Sequence, residues 1–572
     1  MSPSSDLRSV AILFGLLLLA LSFLLPGHYP PWSSFEQQWL AALGCLVLVS
    51  GGLIVRQNSA WPPISLLAMA SALLPWIQWF TGKEVYLGDA VLSSNYLLAF
   101  GLCLLAGRSL RDLFGDRFLH WLLFTLVISA SLSVLAAVLQ WLHLNNKLLW
   151  VTAVPPTSTP FANLGQRNHL ATLCAMAVAA TLALHANRAL RREAMIALLT
   201  WLSFGLILAQ SRTGWVAITA GGLATIGMRL RVKALPSPQK VLACLGIVLT
   251  CAAFMPTISQ ALLLSEVQNF SDRIAQETGR LTLWANLTHA ALLSPWTGYG
   301  FNQIALAQQA ATVTHPTFRM SQDSHNLLID LIIWGGIPFA LLWAATIALS
   351  AKDIIKHCDT PGIWWASWVL GAVLIHSLLE YPHTYTYFLF PSGILMGWLT
   401  RTGIRFAPLK WNWLFRIAPL ALVASVFYWI TLDYSKIESS TRDLRFYLRR
   451  IGSQDAPALP EVGLLDMQRE YEWLLLTQAS PDMTPSDLQR MEHAAKRFPY
   501  PPALMRYALA AALNDQPEAA RITLINLCGM SVPDRCTEAR QAWGEAQAKW
   551  TVLQKIDFPA LPWREERHPT PP

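Results

Sequence analysis

Residues 323–350 read DSHNLLIDLIIWGGIPFALLWAATIALS, and a polar segment gives way there to a long apolar run. The run, counted from residue 325 to residue 350, is long enough to cross the hydrocarbon core of a membrane, since each helical residue advances about 1.5 Å. The polar segment before it extends from Ser265 to Asn326 and is the longest interruption of the apolar chain before residue 433. The stretch predicts a membrane helix that follows one large loop.

The composition of the whole chain also indicates a membrane protein. Its 572 residues are 54% hydrophobic and only 13% charged, and their mean hydropathy is +0.38, whereas soluble domains carry about 25% charged residues. We predict an all-α fold, a polytopic membrane helix bundle of about 13 transmembrane helices. The predicted spans are 9–26, 39–55, 64–80, 91–107, 119–142, 169–187, 195–210, 213–229, 241–257, 325–350, 363–380, 385–400 and 417–432.

Lysine and arginine residues are distributed unequally between the two alternating sets of connecting segments. Eighteen lie in one set, which includes the segments around Arg8 and Arg405, and four lie in the alternate short segments. Because positive residues are held on the cytoplasmic side, we expect a cytoplasmic amino terminus, and in a Gram-negative bacterium the opposite side is the periplasm. The loop 257–324 and the chain after residue 433 then face the periplasm. The cytoplasmic loops explain the net charge of +8, which therefore does not indicate nucleic acid binding.

The chain divides into three predicted domains. Residues 1–150 are N-terminal transmembrane helices, and we interpret the first apolar run as a retained helix because no small-residue cleavage site precedes Pro26. Residues 151–432 form a transmembrane core that includes the large loop, and residues 433–572 form a soluble periplasmic helical domain. The alanine pattern of residues 494–512 is typical of tetratricopeptide-like hairpins.

Two cysteines in the soluble part stand apart from the others. Cys528 and Cys536 are eight residues apart, and an oxidising periplasm could join them, although their closeness could equally be a coincidence. Neither cysteine nor histidine occurs anywhere with the spacing of metal ligands, so we predict no metal site and no cofactor.

The first polar cluster lies in the extracytoplasmic segment 152–170. Its prolines and glycine predict a turn-rich loop that leads into the sixth predicted helix. The amide, guanidinium and imidazole groups gathered there suit sugar hydroxyls or phosphate. Alternatively, they satisfy the backbone of the loop itself. The residues are Asn163, Gln166, Arg167, Asn168 and His169.

Two arginines are candidates for anion binding. Arg212 lies in the segment 210–215, a turn so short that the seventh and eighth predicted helices form a hairpin around it. It could bind an anionic substrate or only reach lipid headgroups. Arg280 begins a helical stretch of the large loop and could instead pair with Glu277 or Asp272.

His325 lies at or just before the first turn of the predicted helix that contains the quoted apolar run. A lone histidine at a helix start is usually a capping or interfacial residue, but the predicted topology puts it on the same side as Arg212, Arg280 and Glu380. Ionisable groups gathered at one depth of a membrane predict a functional site. Glu380 ends the eleventh predicted helix and could also bond to His376, four residues earlier.

Several phrases of the sequence, in this order, resemble those of the O-antigen ligase superfamily. The resemblance covers about residues 150–400 and is greatest to the bacterial O-oligosaccharyltransferases, which glycosylate pilins and other periplasmic proteins. The phrases are Pro160–Leu170, Ser211–Gly214, Arg280–Trp284 with Gly298–Gly300, Ser324–Asn326 and His376–Pro382.

The resemblance implies an en bloc transfer of an oligosaccharide from undecaprenyl diphosphate to a serine or threonine hydroxyl, without a nucleotide sugar or a metal. It assigns the role of general base to His325 and the binding of the diphosphate to Arg212 and Arg280. We further predict that binding of the glycan or the acceptor, or support of the site, involves Asn163, Gln166, Asn168, His169, Asn326, Glu380 and Tyr381.

Two positions depart from the family pattern. Gly165 stands where an asparagine is expected, and Trp334 stands where ligases that act on sugar acceptors often have glutamate. The second departure favours the protein-glycosylating branch. The C-terminal helices could then dock the acceptor protein or close over the site, or they could be a stabilising cap.

Two alternatives remain at this point. Within the same superfamily, the chain could be an O-antigen ligase that acts on lipid A core, or a repeat-unit polymerase, because these enzymes differ in the acceptor rather than in the site. From another class, it could be a transporter or flippase. Transporters tend to place polar groups near the middle of the bilayer, whereas the polar residues here gather at one face.

Overall fold

The computed structural model describes residues 3–561 except 54–59, 146–147, 156–157, 263, 265–269, 406–413 and 453–454. Part of the predicted loop 257–324 therefore lies outside the described residues. Within the described residues the chain forms helices and no β-strand, with one isolated antiparallel bridge between Trp61 and Ile404. The all-α prediction is confirmed.

The α-helices of the described residues follow one another along the whole chain. They are α1 (Pro3–Ser22), α2 (Phe35–Leu53), α3 (Pro63–Ser71), α4 (Leu74–Phe80), α5 (Leu87–Phe114), α6 (Asp116–Trp141), α7 (Arg167–Ala186), α8 (Arg192–Ala209), α9 (Arg212–Met228), α10 (Pro238–Ala261), α11 (Phe270–Leu293), α12 (Ile304–Ala311), α13 (Leu327–Lys356), α14 (Pro361–Leu379), α15 (Thr386–Leu399), α16 (Leu414–Leu448), α17 (Asp466–Leu476), α18 (Pro485–Arg497), α19 (Pro501–Leu513), α20 (Pro517–Gly529) and α21 (Pro533–Lys549).

Nine helical spans of the described part are long and apolar enough to cross a membrane, so the chain is a multi-pass membrane protein. One span combines α3 and α4, and the others belong to α5, α6, α7, α8, α10, α13, α14 and α16. The remaining four predicted spans coincide with α1, α2, α9 and α15, which fall short in length or hydropathy. The count of thirteen and the orientation stay predictions.

One compact unit consists of Met1–Ser71, Tyr96–Asn269 and Ala344–Ala424. Helix α7 packs there against α6, α8, α9 and α14. It is rich in alanine, and small side chains such as Ala171 and Ala180, both fully buried, let neighbouring helices approach closely. The start of α7, which carries part of the first polar cluster, is thereby fixed among four other helices.

The second compact unit consists of Ala72–Asn95, Phe270–Trp343 and Ser425–Pro572. In it, α11 and α12 share an apolar cluster with the first part of α13. Helix α13 is kinked at Gly336, where φ is 85°. A side chain at this position would meet the carbonyl of Trp296 at 2.5 Å, so only glycine allows the turn after α11 to press against α13.

The C-terminal helices α17–α21 belong to the second unit and bury an apolar core of their own. Its largest fully buried side chain is that of Trp543. Cys528 and Cys536 form a disulfide, which decides between the two alternatives for this pair. Helix α16 runs continuously through the predicted domain limit at residue 432. The domain limits and the tetratricopeptide-like character stay predictions.

Candidate active site

Three segments of the first unit meet in a hydrogen-bonded network. Asn168, in the first turn of α7, donates its side-chain amide to Glu380 Oε1 at 2.9 Å. The oxygen of the same amide accepts a hydrogen bond from Ser211 Oγ at 2.7 Å. Glu380 is 3% exposed and follows the last residue of α14, and Ser211 precedes α9. Asn168 therefore connects the ends of three helices.

Arg212 is the first residue of α9, and its side chain is exposed. Ser211 caps this helix, because its hydroxyl accepts the amide of Gly214 at 3.2 Å. The start of α9 lies so close to α7 that a side chain at Gly214 would meet Ala171 Cβ at 2.7 Å. A guanidinium group at a helix start adds its charge to the positive end of the helix dipole, which suits an anion.

A second hydrogen bond joins the same two regions. Gln166 Nε2 donates to the hydroxyl of Tyr381 at 2.6 Å. The ring of Tyr381 is stacked with that of Tyr385, with ring centroids 6.0 Å apart. The predicted residues Gln166, Asn168, Glu380 and Tyr381 thus lie together, beside the helix that starts with Arg212.

Asn163 is buried, and its side-chain amide bonds mainly to backbone groups. Its Oδ1 accepts the amide of Thr152 at 2.9 Å, and its Nδ2 donates to the carbonyls of Leu24 and Trp150 at 2.6 and 2.8 Å. This is the arrangement expected if the amide satisfies the loop itself. Asn163 therefore stabilises the loop that carries Gln166, because its side-chain oxygen and nitrogen both bond to backbone groups.

Gly165 adopts a backbone conformation that few other residues adopt, with φ of 70°. A side chain at this position would also meet the imidazole of His28 at 2.8 Å. That imidazole lies 3.0 Å from the carbonyl of Asn163 and so belongs to the support of the turn. Close approach of His28 explains the departure from the expected asparagine.

His169 lies inside the helix bundle of the first unit rather than at its surface, since it is 1% exposed. Its Nδ1 lies 3.1 Å from the Tyr387 hydroxyl, and its ring makes an edge contact with Tyr385 at 4.6 Å between centroids. His376, also fully buried, lies with Nδ1 2.8 Å from Thr172 Oγ1. Both histidines connect α7 to the segments that surround Glu380.

In the second unit, His325 lies in a tightly bonded turn before α13. Its φ of 59° is left-handed, which is uncommon for a residue with a side chain. Ser324 is fully buried, and its amide donates to Asp330 Oδ1 at 3.1 Å. Asn326 caps α13, because its Oδ1 accepts the amides of Leu328 and Ile329 at 2.9 and 3.4 Å. The half-buried His325 is thus held between two anchored neighbours.

Helix α11 supports the same turn. Trp284 Nε1 donates to the carbonyl of Ser324 at 2.8 Å. Arg280 precedes Trp284 by four residues, and residues at this spacing share one face of a helix. Its alternative partners, Asp272 and Glu277, have side chains outside the described part of the structure.

Trp334 packs against an aromatic neighbour in the second unit. Its ring is stacked on Phe301, with centroids 5.2 Å apart, and its carbonyl accepts the side-chain amide of Gln78 at 2.7 Å. Trp334 departs from the family pattern, and its indole takes part in the packing between α13 and the segment before α12.

Sequence reasoning did not identify two important residues as members of the site. Ser211 lies within a phrase that predicts a turn, and a serine before a helical run is also a signal for an N-cap. Trp284 also lay within a phrase, and no local signal shows that its indole reaches Ser324. The predicted residues form two sets: Asn163, Gln166, Asn168, His169, Arg212, Glu380 and Tyr381 in the first unit, and Arg280, His325 and Asn326 in the second.

Three family models match successive parts of the chain. They describe a protein glycosylation ligase over residues 160–185, an O-antigen ligase over residues 194–344, and the C-terminal part of a virulence factor membrane-bound polymerase over residues 364–530. The first includes Gln166 and Asn168, and the second includes His325.

Two characterised proteins of Acinetobacter baylyi are similar to the chain. A general O-oligosaccharyltransferase is 29% identical over 536 residues, which cover 90% of this chain and 91% of that protein. A ComP-specific O-oligosaccharyltransferase is 24% identical over 409 residues, which cover 70% of this chain and 72% of that protein. The chain is thus similar to O-oligosaccharyltransferases along most of its length, and residues 194–344 match the O-antigen ligase family model.

Proposed function

We propose that this membrane glycosyltransferase moves an oligosaccharide en bloc from undecaprenyl diphosphate to serine or threonine hydroxyls of periplasmic proteins such as a pilin. The observation that carries the proposal is the similarity to a general O-oligosaccharyltransferase along 90% of the chain. The proposed partners are the lipid-linked oligosaccharide, the acceptor protein and the lipids of the bacterial inner membrane. The amino terminus is cytoplasmic, and the site faces the periplasm.

His325 acts as the general base. A serine or threonine hydroxyl is a poor nucleophile, and histidine is the side chain whose ordinary pKa suits removal of its proton near neutral pH. The imidazole takes the hydroxyl proton, the oxygen forms a bond to the anomeric carbon, and the bond from that carbon to the diphosphate breaks. A single displacement of this kind inverts the anomeric centre. The anchored turn at Ser324 and Asn326 supports this role, because it fixes the backbone of the base.

Arg212 and Arg280 bind the diphosphate. Negative charge develops on the leaving group as the glycosidic bond breaks, and a guanidinium stays protonated and donates two parallel hydrogen bonds to phosphate oxygens. The position of Arg212 at the start of α9 supports its assignment, since the helix end adds to the favourable potential. Arg280 lies one turn before Trp284, which contacts the turn that contains His325.

The glycan or the acceptor binds to four hydrogen-bonded side chains of the first unit, which are Gln166, Asn168, Glu380 and Tyr381. Gln166 bonds to Tyr381 at 2.6 Å and Asn168 bonds to Glu380 at 2.9 Å. These bonds hold the remaining donors and acceptors of the four side chains in a fixed arrangement. Such arrangements suit sugar hydroxyls, which both donate and accept hydrogen bonds.

The test is glycan transfer in a bacterial cell that supplies a lipid-linked oligosaccharide and expresses a candidate pilin. Intact protein should add mass to the pilin, and His325→Ala should abolish the addition at equal membrane levels. His357→Ala is the matched control, because it removes a histidine at the opposite end of the same helix. His357 directly follows α13, whereas His325 lies two residues before its first residue. The control should retain transfer. Unmodified pilin and periplasmic proteins with the intact enzyme would contradict the proposal.

A second function within the superfamily is favoured by two of the matching models, which describe an O-antigen ligase and a membrane-bound polymerase. The same cells distinguish it, because such an activity would extend lipid A core or lengthen the lipid-linked glycan while proteins stay unmodified. Transport is tested by His325→Ala as well, since a flippase that does no chemistry at this residue would still move the lipid-linked glycan.

A further inference from the structure

Helix α18 ends in an arginine that is buried against a carboxylate distant in sequence. Arg497 Nε lies 2.7 Å from Asp89 Oδ2, and Nη2 lies 2.9 Å from Asp89 Oδ1. The side chains are 11% and 0% exposed. Burial lowers the pKa of Arg497, but Asp89 outweighs this effect, and the pKa is raised. Desolvation offsets much of the attraction in such a pair, so stability alone does not explain its presence.

The ion pair leaves one nitrogen of the guanidinium for another partner. Arg497 Nη1 donates to Gln322 Oε1 at 3.1 Å, and Gln322 precedes His325 by three residues. Guanidinium groups are planar and rigid, so two bonds to Asp89 fix the direction of the third. Arg497 therefore restricts where the side chain of Gln322 can lie, together with Tyr500, which also hydrogen-bonds to Gln322.

The carboxylate that holds Arg497 is itself fixed. Asn302 Nδ2 donates to Asp89 Oδ1 at 3.2 Å and lies 3.1 Å from Ser93 Oγ. The amide of Gly88, next to Asp89, donates to Asp466 Oδ1 at 2.9 Å. The guanidinium thus has a rigid support in the residues that begin α5.

The C-terminal helices hold the segment before His325 at two further points. The carbonyl of Gly529, at the end of α20, accepts the amides of Thr317 and Phe318 at 2.9 and 2.7 Å. Gln309 Nε2 donates to the carbonyl of Lys496 at 2.8 Å. We call residues 308–325 the histidine segment.

Bonds inside the histidine segment connect these attachments to the residue before His325. The amide of Ser321 donates to Gln308 Oε1 at 3.0 Å, and Ser321 Oγ donates to the carbonyl of Asp323 at 2.6 Å. The next residue, Ser324, is held by Asp330 and Trp284. A movement of Gln322 would therefore also shift the backbone of the left-handed turn at His325, because these bonds connect the two.

We propose that Arg497 is a positioning residue for the transfer reaction: through Gln322 it holds the histidine segment so that His325 keeps its left-handed backbone. This inference rests on the proposed role of His325 as the base. Arg497 does not need to touch donor or acceptor. It acts by narrowing the range of positions that the imidazole adopts, which affects the chemical step rather than the binding of substrates.

The decisive variant is Gln322→Ala, because it removes the connection and leaves the buried ion pair intact. Arg497→Lys is the second variant, since lysine keeps the charge but cannot make three oriented bonds. The matched controls are Gln554→Ala, which removes an exposed amide, and Arg521→Lys, whose guanidinium binds Glu518 on the exposed face of α20.

The assay uses purified full-length protein with an undecaprenyl-diphosphate oligosaccharide and the pilin of the cellular assay. Gln322→Ala should lower kcat about fivefold to tenfold while the KM of either substrate changes less than about twofold. Arg497→Lys should have an effect in the same direction, and both controls should behave as the intact protein. Hydrogen exchange measured over the histidine segment should be faster in the two variants only.

The outcomes separate failure of the inference from failure of the proposed function. Unchanged kcat in Gln322→Ala and Arg497→Lys, with His325→Ala inactive, would overturn the inference and leave the base in place. Faster exchange without a fall in kcat would overturn it as well, because the segment would then be held for stability alone. Full transfer by His325→Ala would remove the base assignment, and the inference with it.

Discussion

The side-chain amide of Gln166 donates a hydrogen bond of 2.6 Å to the hydroxyl of Tyr381, 215 residues further along the chain. The bond joins the segment before α7 to the segment after α14, beside the connection that Asn168 makes to Glu380. Two parallel connections between the same segments indicate that the relative position of these segments matters for the site.

Removal of the Tyr381 hydroxyl should impair transfer. In Tyr381→Phe the amide of Gln166 loses its acceptor, and an unsatisfied, partly buried donor costs about 1–3 kcal/mol. We expect a loss of about tenfold in the rate of glycan transfer at equal protein levels. Tyr428→Phe is the matched control, because Tyr428 is 59% exposed on α16. An unchanged rate in Tyr381→Phe would show that the bond is dispensable.

Substitution of Arg212 should weaken binding of the donor more than binding of the acceptor. Arg212→Ala removes the positive charge and should raise the KM for the lipid-linked oligosaccharide about tenfold or more, while Arg212→Lys should have a smaller effect. Steady-state kinetics with each substrate varied in turn measure the difference. Arg442→Ala provides the control, since that side chain is 64% exposed and pairs with the adjacent Asp443. A rise confined to the KM of the acceptor would refute the assignment.

The stability of the second unit should depend on pH through Glu84. This residue lies between α4 and α5 and is 1% exposed. Its Oε1 accepts the amide of Phe301 at 2.7 Å, whereas Oε2 is buried with no hydrogen-bond partner among the described residues. Burial, and secondly the nearby Asp89, raises the pKa of Glu84 from its ordinary value of 4.5 to about 8.

Between these two pH values the folded protein keeps a proton that the unfolded chain has released. Raising the pH from about 5 to about 8 should therefore lower the melting temperature, with little further contribution above pH 8. Glu84→Gln should make the profile flatter, and the exposed Glu518→Gln should leave the slope over this range unchanged. Thermal unfolding in detergent at several pH values is the measurement. An equal slope in Glu84→Gln and intact protein would contradict the expectation.

Two glycine substitutions should have opposite effects on stability. Gly165→Ala forces a side chain into a left-handed position beside His28 and should destabilise the protein by about 1–3 kcal/mol. Gly544→Ala, in the exposed face of α21 with no atom near the added methyl group, should stabilise by about 0.5–1 kcal/mol. Melting temperatures of the two variants provide the comparison. A stable Gly165→Ala variant with normal activity would show that the turn adapts.

Hydropathy alone predicted the helical architecture, because a run of apolar residues is a local property; each predicted span overlaps one helix, except that 64–80 overlaps both α3 and α4. It could not give the role of Asn163, whose amide binds the carbonyls of Leu24 and Trp150. Those carbonyls are present in any sequence and leave no signal. In the first polar cluster, Asn163 thus bonds mainly to backbone groups, and binding of substrate by Gln166 and Asn168 stays a prediction.

The ion pair between Asp89 and Arg497 was beyond sequence reasoning for a different reason. The two residues are 408 positions apart, and each looks like an ordinary residue of an amphipathic or interfacial segment. Only the folded chain brings them together. The order of the polar segments, by contrast, was visible in the sequence, and it sufficed to identify the family.

The contacts of Gly529 have a consequence for the biosynthesis of the protein. The ribosome makes the histidine segment long before it makes α18 and α20, whose groups bind Gln322 and the amides of Thr317 and Phe318. Gly529 directly follows Cys528, so the acceptor for these amides lies in a turn that is closed by a covalent crosslink. An incomplete chain therefore lacks the contacts of Arg497 and Gly529 with the histidine segment. Full glycan-transfer activity should arise only after the carboxyl-terminal helices have been synthesised and their two cysteines oxidised.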